Sequence, residues 1–259
     1  MRDAFRFPAS LVALSILLAG CSDAPIAGPD RHLDAGLHVA APAPPAVGVL
    51  NWNIYVGADA DAVIAALVTP DPADDVPAIL GALETFERTF FPARAEAIAD
   101  AIGRHRPLVV ALQEVSSIDV DLNPFGVPAV VHLDFLAILQ DALARRGLDY
   151  VVGGEVTNIV ATPLPSVSLV DRDVLLVDAP RVTVTSSAGQ SYTANIGEVA
   201  PGVELKRGWV MITADVNGRS FTFVNTHLES GQGDDLSALR AAQALELMSI
   251  VGAAHPRCP

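Results

Sequence analysis

The chain has little cysteine, few basic residues and little charge of either sign. Its 259 residues include 2 cysteines, Cys21 and Cys258, which stand near opposite ends and outside any CxxC or Cys/His cluster. A structural zinc centre, which needs closely spaced thiolate and imidazole ligands, is not expected. Basic residues number 16 against 30 acidic ones, a formal net charge of −14, and the isoelectric point is near 4.6. A broad basic surface for nucleic acid is not expected from this balance, because phosphate contacts need clustered Lys and Arg. Acidity leaves metal chemistry open, since carboxylates are the ligands that Mg²⁺ and Ca²⁺ prefer. Charged residues make up only 18% and hydrophobic residues 51%. That balance excludes disorder for most of the chain and supplies a core for one large domain or two small ones.

The apolar run at residues 11–18 (LVALSILL) is too short to span a bilayer as a mature helix. It follows Arg2 and Arg6 and ends in small residues, the layout of a secretory signal over residues 1–20. The tetrapeptide Leu18-Ala19-Gly20-Cys21 resembles a bacterial lipobox, in which the cysteine is lipidated and becomes the new N-terminus. The alternative is an ordinary signal peptide with a chance cysteine. Residues 21–45, with Pro25, Pro29, Pro42, Pro44 and Pro45 among Ala, Gly and Asp, are expected to form an extended tether. The folded domain is expected at 46–259, on an exported lipoprotein anchored to the cell envelope, at the periplasmic or outer face, through lipid alone.

Within the domain, residues 47–55 (VGVLNWNIY) read as a strand ended by Gly57. A short helix is expected at 59–67, and a loop at 71–75, where Pro70, Pro72 and Pro77 cluster. Pro92 opens a helix to about His105 with Ala95, Ile98 and Ile102 on one stripe. Residues 108–112 form a nearly continuous apolar run, as in a strand buried on both faces. Phe135, Ile138, Leu139, Ala142 and Leu143 mark an amphipathic helix over 134–146, closed by Gly147. Beyond it the pattern turns to strands at 150–153, 167–177, 181–186, 209–216 and 220–228, the last two joined by the hairpin turn Asn217-Gly218. A final helix is expected at about 235–251, with Ala244, Leu247, Met248 and Val251 on one face. Helices alternating with many strands point to α/β or α+β architecture.

The informative residues are polar ones where the pattern demands apolar ones. Asn53, Glu114 and His227 each end a buried-looking strand. A carboxylate at the end of a core strand is costly unless it meets a cation or a firm donor. Strand alternation puts Phe221, Phe223, Asn225 and His227 on one face, so Asn225 and His227 are expected to reach one cavity. Taken singly, Asn53 reads as a turn former, Glu114 as a surface residue and His227 as a satisfied core histidine. Their shared position makes a metal-and-phosphate site the sharper reading.

Three blocks carry a resemblance: Leu50-Asn51-Trp52-Asn53-Ile54, Ala111-Leu112-Gln113-Glu114-Val115 and Phe223-Val224-Asn225-Thr226-His227-Leu228-Glu229. In order and spacing they resemble the first three signature blocks of the endonuclease/exonuclease/phosphatase superfamily (deoxyribonuclease I-like). The resemblance implies a four-layer αββα sandwich of two mainly antiparallel sheets and a metal-dependent phosphoesterase. It assigns Glu114 to the metal (Mg²⁺, or Mn²⁺ or Ca²⁺), Asn53 to placing Glu114, and His227 to the scissile phosphate. Asp171-Arg172-Asp173 is similar to a block of secreted members, with Arg172 or Asp173 near the substrate; a solvated charged turn is the alternative. The resemblance implies a phosphate-ester substrate, whether lipid head group, small phosphoester or nucleic acid, and the protein is expected to act as a monomer. Two further blocks of the superfamily, Gly-Asp-x-Asn and Ser-Asp-His, have no counterpart here, and His255, followed by Pro256, is no substitute. The resemblance therefore implies a domain incomplete at its C-terminal third, with poor catalysis as the expected consequence. A catalytically dead lipoprotein that binds a ligand or partner, and an unrelated surface lipoprotein, are the alternatives.

Lipidation is directly testable. Cys21→Ser is expected to give an unprocessed or released protein, and mature-size variant that still fractionates with membranes would refute the anchor.

Overall fold

The computed structural model describes residues 47–58, 60–69 and 73–254. The expected signal, Cys21 with its lipobox, the tether, His255 and Cys258 lie outside the described residues.

Strand β1 (Val49–Asn53) is followed by α1 (Ala60–Leu67), α2 (Asp75–Thr89) and α3 (Phe91–His105), which lead into β2 (Val109–Gln113). Helix α2 begins inside the segment expected to be a loop. Pro77 sits in its first turn, where a missing N–H costs nothing, and Ile79, Leu83 and Phe86 then recur on one buried stripe. A hairpin of β3 (Ser117–Asp121) and β4 (Val130–Asp134) precedes α4 (Phe135–Ala144), whose first turn is capped by the Asp134 side chain accepting from the Ala137 N–H at 3.1 Å. Then come β5 (Tyr150–Leu164), β6 (Val167–Asp178), β7 (Thr183–Ser191), β8 (Gly197–Ala200), β9 (Val203–Leu205), β10 (Gly208–Val216), β11 (Arg219–Thr226) and α5 (Asp234–Ala254). Asn217 and Gly218 both take positive φ, 54° and 76°, as a two-residue hairpin turn between β10 and β11 requires.

The larger sheet runs β1-β2-β6-β5-β9-β8, with the β3–β4 hairpin joined to it through β6. Only β1 and β2 pair in parallel; the other pairings are antiparallel. The smaller sheet is β11-β10-β7. Alternation divides the central strands between two cores. Val110, Leu112, Val174 and Leu176 pack against α2, α3 and α4, while Val109, Ala111, Leu175 and Val177 pack against Val210, Ile212, Ala214 and Val216 of the smaller sheet. On the helical side the Phe91 and Phe135 rings stack at 3.7 Å between centroids, joining α3 to α4.

The architecture is therefore a mixed α/β fold with helices on one face of a large sheet and a small sheet on the other. The fourth layer expected for an αββα sandwich is not formed among the described residues. Helix α5 contributes to neither core and buries only Gln243. Its expected apolar face is covered only in part: Ala244, Leu247 and Val251 are half-buried, Met248 is 69% exposed, and Leu245, off that face, is 72% exposed. Polar contacts hold α5 instead. The Gln243 side chain accepts from the Glu229 N–H at 2.8 Å and donates to the Ala194 carbonyl at 3.0 Å. Among the described residues no helix is long and apolar enough to cross a membrane.

Strand β5 runs far beyond residue 153, where Gly153-Gly154 looked like a stop. The glycines are there because the smaller sheet comes close. A Cβ at Gly154 would lie 2.5 Å from Ser187 Oγ and 2.8 Å from Val210 Cγ2. Gly154→Ala is expected to overpack this interface and destabilise the protein by about 1–3 kcal/mol in urea unfolding; an unchanged midpoint would refute the close approach.

Candidate active-site cleft

The site starts where the two parallel strands end. In β1 and β2, Asn53 pairs with Gln113, so the residues that follow, Ile54 and Glu114, leave the sheet side by side. Both exits are strained, with φ of 62° at Tyr55 and 60° at Glu114. A left-handed backbone costs a non-glycine residue roughly 1–2 kcal/mol and persists where the surroundings over-determine it. Here the surroundings are a clamp on the Glu114 carboxylate. Asn53 Nδ2 donates to Oε1 at 2.7 Å, and the Val56 N–H donates to Oε2 at 2.6 Å. Asn53 is itself fixed, its Oδ1 accepting from the Tyr55 N–H at 2.9 Å.

Arg94 of α3 holds the turn after β1. Its Nη1 donates to the carbonyls of Ile54 and Tyr55, the latter at 2.9 Å, and its Nε donates to the Thr89 carbonyl at 2.9 Å. Thr89 Oγ1 closes the same turn from the other side by donating to the Gly57 carbonyl at 3.0 Å. Arg94 thereby positions the Val56 N–H that grips Glu114. It was not marked in the sequence because a half-buried arginine on a helix stripe carries no distinguishing pattern.

Asn53, Glu114 and His227 line one open cleft of about 880 Å³, together with Asp171, Lys206, Arg207 and Glu229. The other expected site residues lie elsewhere. Asn225 does not reach the cavity. It is buried between the sheets, where its Nδ2 donates to the Leu112 and Val174 carbonyls at 2.8 and 3.1 Å and its Oδ1 accepts from Gln113 Nε2 at 2.5 Å. β11 ends at Thr226, so the chain leaves the strand before His227 and the two side chains no longer share its alternation. Arg172 points away from the cleft, its guanidinium 3.6 Å from the Asp134 carboxylate and 3.7 Å from that of Glu155. Asp171 and Asp173 take the opposite face of β6, continuing the row of Leu175 and Val177, and of the two it is Asp171 that lines the cleft. Asp173 lies fully buried behind it.

These two carboxyls are the electrostatic anomaly of the site. Asp171 Oδ1 accepts from Ser116 Oγ at 2.8 Å, while its Oδ2 is buried without a donor. Burial pushes its pKa up to about 6, with the Glu114 charge adding to the rise. Neither oxygen of Asp173 makes a hydrogen bond of ordinary geometry. Burial pushes Asp173 up to about 7, and the nearby Asn158 amide and His227 backbone N–H offset this only in part. On the far flank Arg207 Nη1 lies 3.3 Å from His227 Nδ1, and its Nη2 lies 3.4 Å from the Glu229 carboxylate. An arginine only donates, so Nδ1 must accept and the proton of the neutral ring sits on Nε2. Burial and then Arg207 lower the pKa of His227, which keeps it neutral.

The donor set bears on a metal. Among the described residues no group of three or more His, Cys, Asp or Glu side chains is placed to hold one. Each Glu114 oxygen takes one donor and keeps a lone pair, and Asp171 Oδ2 takes none. That fits a hydrated Mg²⁺, which is held by one or two carboxylates plus substrate phosphate, and does not fit a cation enclosed by protein ligands.

No protein-family model and no curated protein sequence matches the chain. The fold is structurally similar, with partial coverage, to solved members of the endonuclease/exonuclease/phosphatase superfamily. One is an endonuclease/exonuclease/phosphatase protein of Beutenbergia cavernae, 20% identical, with a TM-score of 0.48 over 78% of this chain and 43% of that one. Another is the human Nocturnin catalytic domain with a bound sulfate anion, 17% identical, TM-score 0.46, covering 81% and 58%. A third is D. rerio TDP2 complexed with a single-strand DNA product, 14% identical, TM-score 0.39, covering 82% and 56%. The chain thus spans about half the length of these proteins, from 43% to 58%.

The buried carboxyls set a pH dependence. Asp173 keeps its proton in the fold up to about pH 7, whereas the unfolded chain releases it near 3.8, so its stabilising contribution is present at low pH and is lost as pH rises through that window. Asp173→Asn cannot ionise. Its stability relative to the parent is expected to rise between pH 5 and pH 8 by roughly 3 kcal/mol in urea unfolding, the value of about two pKa units. Asp171 and His227 are common to both proteins, so the difference reports position 173. Equal differences at the two pH values would refute the assignment.

Proposed function

We propose that the cleft is the active site of a divalent-metal-dependent phosphoesterase, carried on an exported lipoprotein anchored through Cys21. The observation that carries the reading is the double clamp on Glu114, assembled from two strained strand ends and aimed into a cleft whose other flank offers Lys206 and Arg207. Backbone strain spent on orienting one carboxylate has no evident packing purpose. The sequence blocks around Asn53, Glu114 and His227 support the same reading. Glu114, with Asp171 as the second carboxylate, would hold Mg²⁺, which when bound would supply charge neutralisation for the phosphoryl oxygens. Asn53 and the Val56 N–H hold the carboxylate at one orientation. Arg207 offers a cationic donor to non-bridging oxygens, Lys206 adds a positive charge although its ammonium pairs with Glu204 at 2.5 Å, and His227, neutral with its proton on Nε2, donates a hydrogen bond to a phosphate or leaving oxygen. The acidity of the chain favours a small phosphoester or lipid head group over duplex DNA.

A second reading, a binding module without turnover, draws on the surroundings of His227. Its Nδ1 faces Arg207 and not a carboxylate, and Arg207 opposes the protonated ring that general acid–base work at neutral pH would require.

Hydrolysis of bis-nitrophenyl phosphate and of a sphingomyelin analogue with Mg²⁺, alongside calorimetric phosphate binding, separates the two. Mg²⁺-dependent turnover that falls about 10²–10³-fold in Glu114→Ala supports the enzyme. Mg²⁺-dependent phosphate binding without turnover, lost in Glu114→Ala, supports the binding module. The absence of both in protein whose circular dichroism is that of a folded chain would overturn the site.

A further inference from the structure

Beside the cleft lies a second space of opposite character. It is a chamber of about 90 Å³ between α1 and α2 on one side and the larger sheet on the other, and Ser168 carries the one side-chain hydroxyl in its lining. Protein interiors leave few voids above the size of a water, and an apolar void of this size stays dry, with lining atoms that lack partners. The chamber adjoins the cleft across a shared wall. Val56, Ala58, Ile64, Ile159, Leu169 and Leu205 line both it and the cleft. Val56 sits at the joint, because the residue whose N–H grips the Glu114 carboxylate at 2.6 Å also belongs to the chamber wall. A ligand whose polar end reaches Glu114 is therefore one residue away from a dry apolar space.

We propose that this chamber receives the alkyl substituent of a phosphate ester whose phosphate occupies the cleft. The proposal rests on the phosphate reading of that cleft and narrows its substrate class to amphiphilic phosphoesters. A water takes about 30 Å³ in the liquid, and a methylene is of similar size, so the chamber holds on the order of three methylenes. Each buried methylene contributes about 0.8 kcal/mol, about fourfold in affinity. Filling the chamber gives about 50-fold over an ester too short to enter it.

Calorimetric titration of the full chain with methyl, propyl, butyl and hexyl phosphate in Mg²⁺ tests this. Affinity is expected to climb about fourfold per carbon beyond methyl and to level off near butyl. Ala82→Leu on α2 and Ala161→Ile on β5, both at the chamber wall, are expected to flatten the series to the methyl phosphate value without changing methyl phosphate binding. Two substitutions on different elements guard against one that simply unfolds the protein. Equal affinity at all chain lengths, with binding lost in Glu114→Ala, overturns the chamber and leaves the phosphate cleft standing. A length dependence indifferent to Mg²⁺ and to Glu114→Ala overturns the phosphate reading and, with it, the joint substrate. No binding at any length overturns both.

Discussion

The hold on the Glu114 carboxylate is the constraint around which the rest of the molecule is arranged. It needs β1 and β2 to be parallel neighbours ending at the same level, because only then do Asn53 and Glu114 emerge together. A parallel pair needs a long crossover, and the segment that makes it here, α1 to α3, supplies the helical layer. The same crossover supplies Arg94, which ties the strained turn after β1 to the start of α3. Sheet, helices and site are thus one construction, and the positive φ values at Tyr55 and Glu114 are the local cost of it.

Charge is used economically. A formal net charge of −14 works against phosphate binding, yet the cleft carries Lys206, the chain's single lysine, next to Arg207. Against them stand Glu114 and Asp171 on one side and Glu229 on the other. Burial raises both Asp171 and Asp173, but near pH 7 it is Asp173, buried behind the cleft wall, that keeps much of its proton, while Asp171, at about 6, is mostly ionised. Binding of a cation at Glu114 would oppose that rise, since a nearby positive charge favours ionised carboxyls. Proton release on cation binding follows from the same linkage.

Much of this was legible in the sequence, for physical reasons. The periodic helices α3 and α4 and the apolar runs of β2 and β6 are specified by their own burial pattern. Asn53, Glu114 and His227 stood out because each is a polar residue ending an apolar run, and the structure places all three around one cleft. What escaped was governed by tertiary context. Pro77 marks a loop by propensity, but in the first turn of α2 it is harmless. Gly153-Gly154 looks like a strand end, but it marks the close approach of a second sheet that no local pattern reveals. Asn225 obeys the alternation that assigned it to the cavity, yet its amide is the bridge between Leu112, Val174 and Gln113 in the core. The block resemblance pointed to Arg172 or Asp173, yet Asp171, on the same face as Asp173, lines the cleft, because only the depth of the cleft decides which of the two reaches it.

The two flanks of the cleft differ in how firmly they are held, and that difference has a functional sense. The Glu114 side is fixed by charge-assisted bonds of 2.6 and 2.7 Å and by an arginine anchored to three backbone carbonyls. The Arg207 side is held by contacts of 3.3 and 3.4 Å to His227 and Glu229, which are long for charge-assisted bonds and correspondingly weak. A cation demands fixed ligand geometry, and Mg²⁺ in particular tolerates little deviation from it. An anion with several equivalent oxygens does not impose that demand, and the long contacts of the largely buried Arg207 leave its donors only partly engaged. On the reading proposed above, the tighter bonds lie where a metal would need fixed geometry, and the longer ones lie on the cationic flank.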